Sequence, residues 1–217
     1  MSRNSFLLHQ SAKKFILCIL SITFFLLFLN VLHADSINEH ILELDKKQKF
    51  LQVVKIFQSS KIETVDGDIL LKIGFYYLEG RKGIAVDKVK SLRLFNLAEN
   101  KLKTEYEVNR KASTLYHLGL AIRYSRFDYV ESFKLIKEAA DKGNSMAQVE
   151  LSLMLLKGLG TKADSDMAMT YLNRAVVQNN LTAKAYLASY YLSKKQELPK
   201  GIALAQESSD LGNRSGQ

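Results

Sequence analysis

Reactive side chains are sparse in this chain. Outside the first 34 residues only two histidines remain, His40 and His117, 77 residues apart, and neither has a partner at metal-ligand spacing. The sole cysteine, Cys18, lies in the apolar leader, so the remainder has no thiol nucleophile and no disulfide. The one Ser-x-x-Lys, "SAKK" at 11–14, is in the leader as well. No HExxH and no Gly-x-Ser-x-Gly occurs. Carboxylates crowd together in "EHILELD" (39–45), at spacings that suit a solvated helix surface. "GLG" at 158–160 has the glycines of a phosphate loop but lacks the Lys-Ser/Thr pair opening a helix. Together these exclude the common hydrolytic and metal-dependent chemistries. The expectation is a protein that is not an enzyme and carries no cofactor and no metal.

Charge narrows the partner class. Three of the 31 basic residues fall within the first 34, leaving 28 against 22 acidic, a net of +6. They are interleaved with acids, as in "EYEVNRK" (105–111) and "IKEAADK" (136–142), and form no basic stripe. That pattern argues against nucleic acid. The leader, residues 1–34, has Arg3, Lys13 and Lys14, then fifteen uncharged residues (15–29), then "NVLHA". It reads as a secretory signal, with an uncleaved signal anchor as the alternative. The expected location is therefore periplasmic or secreted, with contact to the membrane only through an uncleaved leader.

Whatever binds must be held by helices. The chain has one proline and no tryptophan, which favours an all-α protein. A pattern of acid, small, large apolar, apolar and small recurs at offsets −4, 0, +3, +4 and +7. Its copies are Asp87, Ser91, Leu94, Phe95, Ala98; Asp128, Ser132, Leu135, Ile136, Ala139; Asp164, Ala168, Tyr171, Leu172, Ala175; and Glu197, Gly201, Leu204, Ala205, Ser208. Offsets 0, +3, +4 and +7 share one helix face. The acid stands where an N-cap accepts the first free amides. A second helix precedes each copy, centred on Ile73, Leu115, Leu151 and Leu187, the last three 36 apart. The unit is a helical hairpin of about 36 residues, which buries its apolar face only by stacking. Gly80, Gly83, Gly158 and Gly160 then mark the turn from the first to the second helix of a hairpin.

"YYLEGRKGIAVD" (76–87), "LMLLKGLGTKAD" (153–164) and "AADKGNSMAQVELS" (139–152) resemble Sel1-like repeats, a variant of tetratricopeptide repeats. The resemblance covers residues 67–213. "RYSRFD" (123–128) lacks the turn glycines, "SKKQELP" (193–199) is shortened, and "NKLKTEYEVNRK" (100–111) lengthens the first junction. The expected architecture is an α-solenoid of about four stacked hairpins. An N-terminal capping helix region (35–66) precedes it, with Phe50, Val53, Val54 and Phe57 at helical spacing.

Solenoids bind along a concave face. On the first helix of each hairpin a stripe remains outside the core frame: Lys72, Phe75 and Glu79; Thr114, His117 and Ala121; Glu150, Leu153 and Lys157; Tyr186, Ser189 and Ser193. Lys72, Phe75, Glu79, His117, Glu150, Leu153, Lys157 and Tyr186 are the candidate partner-binding residues. The partner expected is a protein or peptide, not a small-molecule substrate. The roles open are an adaptor or scaffold of the cell envelope and, as the resemblance allows, a periplasmic immunity protein that neutralises a secreted toxin. An envelope hydrolase is the outside alternative.

Overall fold

The computed structural model describes residues 31–81, 83–193 and 197–215. The leader through residue 30, with Cys18, lies outside the described residues. Among these no strand occurs. Helix α1 covers residues 31–46 and passes through position 34. It is followed by α2 (Phe50–Ser59), a 3-10 turn (Ile62–Thr64), α3 (Gly67–Glu79), α4 (Lys88–Asn109), α5 (Ala112–Arg126), α6 (Tyr129–Asp141), α7 (Ser145–Lys157), α8 (Ser165–Val177), α9 (Leu181–Ser193) and α10 (Leu198–Ser215). Each helix from α3 to α10 packs on its sequence neighbours, and α3 touches α5 as α5 touches α7. The result is an α-solenoid of four hairpins, α3–α4, α5–α6, α7–α8 and α9–α10, with α3, α5 and α7 forming the inner row.

The repeating frame builds the outer helices as their local chemistry requires. Asp87, Asp128 and Asp164 each accept a hydrogen bond from the backbone amide three residues on, at 2.9 Å. Three of the four otherwise orphaned helix starts in this row are thereby capped. Asn144 and Asn180 cap α7 and α9 in the same way, accepting from Ala147 N and Ala183 N. In α4, α6 and α8 the small residues Ser91, Ala98, Ser132, Ala139, Ala168 and Ala175 are buried. Their lack of bulk lets the paired helix approach closely. In α10 the frame weakens: Gly201 is buried, but Ala205, expected in the core, is exposed. Among the described residues α10 packs on α9, which leaves Ala205 on its open face.

One register differs from expectation. Thr114 and Ala121, placed on the surface stripe by the 36-residue step, are buried at 7% and 0% exposure. Glycines show the true alignment. A Cβ on Gly74 would lie 2.6 Å from Phe95, and one on Gly119 would lie 2.7 Å from Ile136. Phe95 and Ile136 hold the same slot in α4 and α6, so Gly74 and Gly119 are equivalent. The reference residue of α5 is therefore Leu118 instead of Leu115. The turn of this hairpin has lost residues, and counting across it shifts α5 by three positions. The groove-lining stripe of α5 becomes His117, Leu120 and Tyr124, of which Leu120 is buried and the other two half-buried.

At the N-terminal end, region 35–66 supplies two helices. Ile41 and Leu44 of α1 join Val53 and Val54 of α2 in the main core. Asn38 ties this pair to α3: its Nδ2 donates to Thr64 O and its Oδ1 accepts from Asp66 N. A second, smaller core holds α7, α8 and α9 together through Val149, Leu172, Ala175, Ala183 and Leu187.

Candidate binding groove

The inner row carries a groove of about 740 Å³ on α3, α5 and α7, closed at one end by the α1–α2 turn. Lys72, Phe75 and Glu79 reach it from α3, His117 from α5 and Glu150 from α7. Leu153 and Lys157 line an adjoining notch of about 330 Å³. Arg123, Tyr124 and Glu150 belong to both, so the two spaces adjoin. Tyr186 lies apart on α9, 44% exposed, and borders neither.

The groove wall is built from aromatic rings and ion pairs. Phe75 meets Phe95 edge-on at 5.1 Å and Tyr124 at 4.8 Å. It is half-buried and props the α3–α4–α5 junction, so truncating it would disturb the fold as well as the surface. Arg123 is 9% exposed. It donates to Glu150 Oε1 at 2.5 Å and its guanidinium lies 4.9 Å from the Tyr124 ring centre. Burial opposes the arginine's charge, but the Glu150 carboxylate outweighs it and raises the pKa. This pair joins α5 to α7 under the groove floor. At the closed end Asp45 accepts from Lys72 Nζ at 2.6 Å and from the Tyr76 hydroxyl. Phe50 stacks edge-on against Tyr76 at 5.1 Å, and Arg81 lies over the Phe50 ring. The first inner helix is thus partly covered by α1 and α2.

Burial lowers the His117 pKa. Asp68 opposes that shift and Lys72 adds to it, so the imidazole is neutral at pH 7. Tyr116 and Tyr76 are pushed well up by burial and keep their protons. No nucleophile, oxyanion donor or proton shuttle converges here. Among the described residues no group of His, Cys, Asp and Glu is placed to hold a metal ion. No described helix is long and apolar enough to cross a membrane. The arrangement is suited to contact, with rings for apolar anchors and charges for orientation.

Sequence reasoning missed Asp45, Phe50, Arg123 and Tyr124. The first two come from outside the repeats. Tyr124 becomes legible once α5 is aligned by Gly119 instead of by leucine spacing, whereas Arg123 lies off that stripe and is buried.

Stacked helical hairpins with an inner-face groove define a repeat solenoid. The Sel1 repeat pattern matches residues 70–101, 111–144 and 145–180, and the chain belongs to the Sel1-repeat family. Sel1 repeats are in general non-catalytic protein-interaction modules. Similar solved structures include a Pseudomonas aeruginosa protein, 5086, at 20% identity, with 85% of this chain and 68% of that chain aligned and a TM-score of 0.54. A Sel1 repeat protein from Oxalobacter formigenes aligns at 19% identity over 82% of this chain and 71% of its own, with a TM-score of 0.49. A protective antigen of uropathogenic Escherichia coli, described as displaying an SLR fold, aligns at 20% identity over 76% and 42%, with a TM-score of 0.43.

Proposed function

We propose that this protein is an exported binding module of the cell envelope that holds a segment of a protein partner along its inner face, as an adaptor or scaffold. The observation carrying this reading is the groove on three successive inner helices, with its adjoining notch, lined by aromatic rings and by charges of both signs. The apolar leader with its basic start supports export. Anchoring rings on a rigid surface cost little entropy on binding, and such residues usually dominate an interface.

The test removes groove contacts that the fold does not need. Glu79 is exposed and His117 half-buried, and neither belongs to the repeating frame. A partner cross-linked in the envelope fraction, then purified, should bind Glu79→Ala/His117→Ala at least about tenfold more weakly. The outer-face control Lys137→Ala/Arg174→Ala should bind as the wild type does. Full affinity in a folded Glu79→Ala/His117→Ala protein would refute the inner-face reading.

A further inference from the structure

The turn of the second hairpin is built unlike those of the first and third. Where α3 and α7 end in Gly80 and Gly158, at φ +71° and +66°, α5 ends in Phe127 at φ +58°. A bulky residue is disfavoured there because its Cβ crowds the following carbonyl oxygen. The ring is 65% exposed, so burial returns little for that cost. Backbone strain persists only where the surrounding structure holds it, and it recurs at functional sites; Gln48, Arg110 and Asn179 share the positive φ, but Phe127 alone of the four is aromatic.

Phe127 stands at the mouth of the notch. Tyr124, Tyr129, Leu153 and Leu159 form its apolar walls, with the Arg123–Glu150 pair at its base. The shape follows from unequal turns. Only Phe127 and Asp128 join α5 to α6, while residues 158–164 join α7 to α8. The longer turn overhangs the shorter one, and Gly160 lies directly against the backbone of Tyr129. Arg123 and Glu150 satisfy each other. Lys157 is exposed and makes no ion pair with any described residue, so the uncompensated charge of the notch is positive.

We infer that the Phe127 notch is the anchoring pocket for the partner and takes one large apolar or aromatic side chain with a carboxylate next to it in sequence. The inference rests on the reading of the chain as a partner-binding module. The apolar walls and the exposed ring receive the anchor, and Lys157 pairs with the adjacent acid.

A phage-displayed library of random peptides, panned on the purified protein, provides the probe. Selected peptides should share an aromatic or large aliphatic residue beside Asp or Glu. A synthetic copy should bind Phe127→Gly and Lys157→Ala at least about tenfold more weakly than wild type. The melting temperature of Phe127→Gly should be unchanged or higher, because glycine accepts the left-handed position freely. Stability and binding therefore move apart, which a merely structural ring would not produce. A lower melting temperature for Phe127→Gly overturns the inference. So do peptides that bind Phe127→Gly at full affinity but lose binding to Glu79→Ala/His117→Ala, a result that leaves the groove reading standing. A library that yields no peptide on the wild-type protein overturns both.

Discussion

Gly158 and Gly160 sit two residues apart in one turn, at φ +66° and +72°, yet substitution should affect them unequally. Placing alanine in the left-handed region costs about 1–2 kcal/mol at either position. At Gly158 the new Cβ would stand 3.3 Å from Thr161 O and Ala163 N, a fit that small shifts accommodate. At Gly160 it would stand 2.0 Å from Tyr129 O and 2.5 Å from the carbonyl carbon. Both atoms are backbone at the start of α6 and cannot rotate away. Restoring ordinary contact means parting the third hairpin's turn from α6 by about 1.5 Å or more. Overpacking of that kind adds about 1–3 kcal/mol. Gly158→Ala should therefore lose about 1–2 kcal/mol and Gly160→Ala about 2–5 kcal/mol. Urea denaturation followed by helical circular dichroism, on both variants and the wild type, measures the difference. The left-handed cost cancels in that comparison, which leaves the inter-hairpin clash. Equal losses would refute the claim that Gly160 is required by the neighbouring hairpin.

The buried hydroxyls of Ser91 and Ser132 have no hydrogen-bond partner, while Ala168 fills the equivalent slot in α8. Ser91→Ala and Ser132→Ala should leave stability unchanged or raise it by about 1 kcal/mol; a loss of that size in the same denaturation experiment would mean that the hydroxyls are bonded. His117 should titrate below the ordinary histidine value of about 6.5. Its folded-state pKa is depressed, so the neutral imidazole contributes stability that is present above the unfolded value and lost as pH falls through the folded one. By NMR of the imidazole, Asp68→Asn should lower the midpoint further and Lys72→Ala should raise it; the reverse order would show that these groups do not face the ring.

The outer helices were legible in the sequence because everything that makes them is local. An aspartate four residues before a small residue caps its own helix, and apolar side chains at 3.6-residue spacing declare their own face. Asp87, Asp128 and Asp164 needed no knowledge of the rest of the chain. Most of the inner stripe was legible for the same reason: Lys72 and Phe75 of α3, and Glu150 and Leu153 of α7, follow from helical period alone. The register of α5 did not follow. Leu115 and Leu118 are both buried, at 0% and 6% exposure, so apolar spacing fits either frame. Only the approach of Gly119 to Ile136 decides between them. The closed end of the groove was equally out of reach. Asp45 meets Lys72 and Tyr76 across about thirty residues of chain, and no local pattern encodes that pairing. Nor could the sequence show that Phe75 props a helix junction or that Arg123 lies under the groove floor. Period and capping are written within one helix. Which face becomes a cavity, and which charge is already spent on a partner, is settled only when neighbouring hairpins stack.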